Sequence, residues 1–260
     1  MRTSWIRHLN DVRVRGDING VTVVAFPHAG GSANYFQPWS RIMPAGTQLC
    51  AVQYPGRQDR VNEPCAKTMA DIVDPVVNEL LRRPSFAGLV LLGHSMGAVI
   101  AFEVVRALEK HRGPVRRLIV TGRRPPHLES RGLVHEGGDE AILADAVRLG
   151  GLDESVLEDA SIRDLLLVPM RADYALADTY VPSDDSPLLS PITALNGDQD
   201  PEVSPAEAAE WSGYTCSDFR SEVIAGGHFF LRDAPLVALR PIIQDISYGG
   251  PMSLPFPSTP

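Results

Sequence analysis

The chain has 260 residues, 44% of them hydrophobic, with a formal net charge of −8 at pH 7. Length and apolar fraction suffice for one large globular core, and the acidic balance argues against nucleic acid or an anionic membrane as the main partner, since both are met by a basic face. Cys50, Cys65 and Cys216 are odd in number, far apart and form no CxxC pair, so they read as reduced thiols rather than a disulfide framework or a zinc site. The amino-terminal stretch MRTSWIRHLNDVRVRGD lacks the apolar core of a signal peptide, and no later run approaches ~18 uninterrupted apolar residues. A soluble, cytoplasmic protein without membrane contact is expected.

In chain order, short β-branched runs alternate with helix-like segments, the pattern of a mostly parallel sheet with helices on both faces. Strands are predicted at residues 21–26, 48–54, 89–92, 117–121, 192–196 and 219–224. Helices are predicted at 71–81, with Pro75 marking a start or kink, and at 98–108, where Val99, Phe102 and Val105 are spaced for burial. Residues 125–190 break the alternation with amphipathic pieces at 140–149 and 161–180 and no convincing strand. Such an insertion is either extra packing at the sheet edge or a lid over a site, and its length favours the lid. One domain is expected over residues 1–248. The tail GGPMSLPFPSTP (249–260) reads as disordered.

After the first strand comes Pro27-His28-Ala29-Gly30-Gly31-Ser32-Ala33, a small-residue loop whose backbone can present N–H donors to a substrate. It has neither GxGxxG nor a GK[ST] ending, so a phosphate loop is not indicated. The run at 89–92 leads into Gly93-His94-Ser95-Met96-Gly97 and then a helix, the strand-turn-helix setting that exposes a serine hydroxyl. A nucleophilic serine needs an imidazole to take its proton and a carboxylate to orient the imidazole, here in the chain order Ser, Asp, His. The strand at 192–196 runs into Gly197-Asp198-Gln199-Asp200-Pro201; Asp200 is preferred, while Asp198 stays open because spacing alone does not separate them. The last strand runs into Gly226-Gly227-His228-Phe229, where the base belongs. His94 reads as structural; His8, His111, His127 and His135 sit in polar surroundings. The expected oxyanion donors are Ala29 and Met96.

Together PHAGGSA, YPGRQDR, GHSMGA, LLLVPMRADYALADTY, GDQDP and GGHFFL resemble the type II thioesterases, α/β-hydrolases that accompany polyketide synthases and nonribosomal peptide synthetases. The likeness spans about residues 18–245, and PHAGGSA with YPGR and Met170-Arg171-Ala172-Asp173 is its specific part. The resemblance implies an α/β-hydrolase fold with a helical lid insertion and hydrolysis of acyl thioesters on the 4′-phosphopantetheine arm of acyl or peptidyl carrier protein domains. It implies Ser95, Asp200 and His228 as triad, with Ala29 and Met96 as oxyanion hole. No metal or redox cofactor is called for, and a monomer is expected. His28, Gly30, His94, Phe229 and Met170 are further expected to touch substrate. Leu143, Val147, Leu165, Leu166 and Met170 either line an acyl chamber or form the lid's own core. Arg123, Arg124, Arg57 and Arg60 are candidates for carrier docking, or else solvated or internally paired. Pro241 interrupts what should be the last helix. A general carboxylesterase or lipase shares the triad without requiring PHAGGSA and YPGR; a silent binding module would not need the intact catalytic set.

Overall fold

The computed structural model describes residues 4–10, 20–82, 88–128 and 133–248. Seven strands form one sheet in the order β1-β3-β2-β4-β5-β6-β7. They are β1 (Ile6–His8), β2 (Thr22–Phe26), β3 (Gln48–Val52), β4 (Leu89–His94), β5 (Arg117–Thr121), β6 (Ile192–Gly197) and β7 (Phe219–Ile224). All pairings are parallel except β1 with β3. A strand covered on both sides must be apolar at every position, and β2 and β4 are buried along their whole length. Alternate side chains feed two cores: Val24, Phe26, Leu89 and Leu91 lie on one face, and Val23, Ala25, Val90 and Leu92 on the other.

The helices are α1 (Met69–Leu80), α2 (Met96–Arg112), α3 (Gly138–Arg148), α4 (Ala160–Asp178), α5 (Pro205–Ala209), α6 (Phe230–Asp233) and α7 (Pro235–Tyr248). Helices α1 and α2 share the first core, while α7 and a 3₁₀ segment at Ala33–Arg41 share the second. Between β5 and β6 the described chain forms α3, α4 and short 3₁₀ turns, the helical insertion that the sequence predicts. A third apolar cluster, Ile142, Leu143, Ala146, Leu167, Met170 and Tyr174, joins α3 to α4.

Several boundaries differ from expectation. Helix α1 starts at Met69, before Asp71, because Thr68 and Asp71 close a capping box that outweighs Pro75 as a start signal. Helix α7 continues through Pro241: Ala238, Leu239, Ile242 and Ile246 are buried against the sheet, and that packing offsets the lost backbone bond. Strand β1 was not anticipated; three residues leave too little periodicity to read. The predicted tail disorder at 249–260 falls outside the described residues.

Candidate active site

Ser95 sits between β4 and α2 with φ 54° and ψ −120°, a conformation that non-glycine residues rarely hold. The surrounding structure imposes it. The Ser95 N–H donates to the Thr121 carbonyl of β5 at 2.8 Å, and the flanking glycines let strand and helix nearly touch. A Cβ at Gly93 would lie 2.2 Å from the Gly97 carbonyl oxygen, and one at Gly97 would lie 2.1 Å from that of Phe26. Met96 opens α2, so its N–H belongs to the helix turn that has no intrahelical acceptor.

Asp200, beyond the end of β6, meets His228, beyond the end of β7: His228 Nδ1 and Asp200 Oδ2 are 2.9 Å apart. Their side chains are 1% and 0% exposed. The other carboxylate oxygen of Asp200 accepts the N–H groups of Glu202 at 2.9 Å and Val203 at 3.3 Å, which fixes its direction. Asp198 turns elsewhere. Its Oδ1 accepts the Gly226 N–H at 2.9 Å and so ties the acid loop to the histidine loop. With Nδ1–H donated to Asp200, His228 presents a bare Nε2, which has no hydrogen-bond partner among the described residues.

Ser95, Met96, His28, Ala29, Gly30, His228 and Phe229 all border one cavity of about 440 Å³. The insertion closes its other side with Ala146, Leu152, Leu166, Met170 and Tyr174. Of the residues proposed to line an acyl chamber, Leu166 and Met170 do so. Leu143 lies in the core between α3 and α4, Leu165 is 61% exposed on the outside, and Val147 is half-buried and outside the lining.

His94 does not border the cavity, contrary to its expected contact with substrate. It is fully buried one layer behind, stacked on Tyr35 and 5.2 Å, centroid to centroid, from His228. Thr121 Oγ1 donates to the Gly93 carbonyl and therefore accepts from His94 Nδ1, at 3.0 Å. Burial first, then the nearby His228, hold His94 well below the ordinary imidazole range. The same two causes drive His28 down to about 3. Both rings stay neutral, and neither has the carboxylate partner that His228 has in Asp200.

The loop from His28 to Gly31 is held by residues that sequence reasoning did not connect. Asp173 on α4 accepts the Gly30 N–H at 2.8 Å through Oδ2. The same carboxylate takes both terminal nitrogens of Arg57, from Nη2 to Oδ1 at 2.9 Å and from Nη1 to Oδ2. Arg57 Nη1 also reaches the Gly31 carbonyl at 3.3 Å. YPGR and MRAD, far apart in sequence, thus supply the two halves of one buried ion pair.

That pairing removes Arg57 from the docking candidates. Arg60 leaves with it, buried over the Trp5 ring and bonded to Glu63. Arg124 is paired with Glu202 and Glu207, and Arg123 lines the cavity and donates to the Ala177 carbonyl. Among the described residues, no helix is long and apolar enough to cross a membrane.

A family model described as thioesterase domain matches residues 21–246. The thioesterase PikA5 of Streptomyces venezuelae is 40% identical over 231 residues, which cover 88% of this chain and 80% of that protein. The gramicidin S biosynthesis protein GrsT of Aneurinibacillus migulanus is 33% identical over 239 residues, covering 89% of this chain and 92% of its own length. Among solved structures, the type II thioesterase BorB from the borrelidin biosynthetic cluster aligns with a TM-score of 0.83 and 34% identity, over 94% of this chain and 98% of that one.

Proposed function

The chain belongs to the thioesterase family, and from that premise we propose that it is a stand-alone editing hydrolase. Its substrates are acyl thioesters carried on the 4′-phosphopantetheine arm of acyl or peptidyl carrier protein domains. The main support is the His228–Asp200 pair, which leaves Nε2 without a partner on a histidine that borders the same cavity as Ser95.

In the proposed cycle His228 Nε2 takes the Ser95 hydroxyl proton as Oγ attacks the thioester carbonyl. The N–H groups of Ala29 and Met96 hold the oxyanion. The carbon–sulfur bond then breaks, and the pantetheine thiolate leaves with the proton from His228. Water gives a proton to the same nitrogen as it attacks the acyl-serine; the bond from the acyl carbon to Ser95 Oγ then breaks, Oγ takes the proton back from His228, and a free acid is released. Pantetheine arrives with the substrate, and the cycle calls for no metal or redox group. The helical insertion serves as a lid whose Leu166 and Met170 face the acyl chain, in a cavity sized for short or medium acyl groups. The protein works as a monomer in the cytoplasm beside its synthase.

The test is intact-mass spectrometry of a holo carrier protein loaded with acetyl, propionyl or butyryl groups. Wild type removes the acyl mass, and Ser95→Ala slows removal by about 10³-fold or more. A carrier that stays loaded while simple esters are cleaved would replace this reading with that of a general esterase.

A further inference from the structure

Of the loop His28 to Gly31, two N–H groups are already engaged: Gly31 donates to the His28 carbonyl at 2.9 Å, and Gly30 donates to Asp173 at 2.8 Å. The Ala29 N–H has no hydrogen-bond partner among the described residues, and Ala29 borders the cavity beside Ser95. Gly30 takes φ +75°, so the turn that separates these donors is one that few side chains tolerate. The Asp173 carboxylate ties this turn to α4 and is gripped as well by Arg57, with that pair only 6% and 4% exposed.

We propose that Asp173 is a positioning residue of the oxyanion hole, acting through Gly30 to aim the Ala29 N–H, with Arg57 holding the carboxylate in place. The proposal rests on the acyl-serine reading above and adds to it a dependence of chemistry on the insertion. Asp173 lies on α4, one turn after Met170, and a Cβ on Gly30 would come within 2.8 Å of Met170 Cγ. The helix that walls the acyl chamber therefore also grips the oxyanion loop at two points, a hydrogen bond and a van der Waals contact. A donor displaced by a fraction of an ångström stabilises the ground-state carbonyl as well as before and the oxyanion less well, so the loss appears in kcat rather than KM.

The experiment uses p-nitrophenyl butyrate, which needs no carrier protein, with Ser95→Ala as the blank; failure of the carrier reading leaves its outcome intact. Asp173→Asn is expected to lower kcat by about 10–100-fold with KM within about twofold, and to weaken inhibition by butylboronic acid, an oxyanion mimic, by a similar factor. Because breaking one side of a buried ion pair also destabilises, the double variant Arg57→Met with Asp173→Leu separates the roles. It removes both charges and restores the melting temperature while kcat stays low. Recovery of wild-type kcat in the double variant, or unchanged boronate affinity in Asp173→Asn, overturns the proposal. In the wild-type protein the Gly30 amide is expected to exchange slowly with solvent; rapid exchange overturns it without any variant.

Discussion

His228 Nδ1 lies 2.9 Å from Asp200 Oδ2, with both side chains shut off from solvent. Asp198, two residues earlier, instead holds the backbone of Gly226. Asp200→Asn is therefore expected to cost about 10³–10⁴-fold in kcat, because the amide leaves His228 free to adopt the wrong tautomer. Asp198→Asn should stay within about tenfold of wild type, since it loses a loop contact only. Steady-state ester hydrolysis on both variants, with circular dichroism to confirm folding, decides between the two carboxylates.

Ser95 holds φ 54° and ψ −120° at some cost in stability. Strain of this kind amounts to about 1–3 kcal/mol, against which glycine loses about 0.5–1 kcal/mol of chain entropy. Ser95→Gly should thus abolish turnover and raise stability by about 1 kcal/mol, visible as a higher urea midpoint. A lower midpoint would mean that the turn is not strained.

Gly97 admits no side chain, because its Cβ would meet the Phe26 carbonyl oxygen at 2.1 Å, a backbone atom of a central strand. Gly97→Ala is expected to lose about 4 kcal/mol or more, or to fail to fold. Gly213→Ala, where the new methyl meets open space, should change stability by no more than about 0.5 kcal/mol. Denaturant titration of the pair measures the difference.

His94 is neutral in the folded protein and titrates near its ordinary value of 6.5 once unfolded. Below that pH the unfolded chain binds the extra proton, so the stability present above 6.5 is lost as the pH falls. The expected slope from this group is about 1.4 kcal/mol per pH unit. Urea melts at pH 7, 6 and 5 should show the decline. His94→Gln, which keeps a donor toward Thr121, should flatten it by that amount.

The sheet and the chemistry were legible for different reasons. β2, β4, β5 and β6 are short apolar runs between turn residues, and burial on both faces leaves few other readings for such runs. Ser95 announces itself through neighbouring glycines that close backbone approach requires, and His228 through its place on a glycine-rich loop just after the last strand. Asp200 and Asp198 look alike in the sequence, and only the backbone path between β6 and β7 separates them. The Arg57–Asp173 pair was out of reach: both motifs were visible, but nothing local says that residues 116 positions apart share a buried site. Pro241 misled because a rule about isolated helices was applied to one whose apolar face is seated on a sheet.

Strands β5 and β6 lie side by side in parallel register, Leu118 opposite Ile192 and Thr121 opposite Leu195. The chain between them therefore leaves past Thr121 at the carboxyl ends of the strands and crosses back to Ile192 at their amino ends, and length added within that crossover costs little, since loop closure grows only slowly with length. Such a segment is free to diverge, lengthen or be exchanged between relatives without disturbing the strands that carry Ser95, Asp200 and His228. One position limits that freedom. If Asp173 positions the Ala29 N–H as proposed, a helix exchanged there preserves the chemistry only when it returns a carboxylate to that place, whatever it does to the acyl wall.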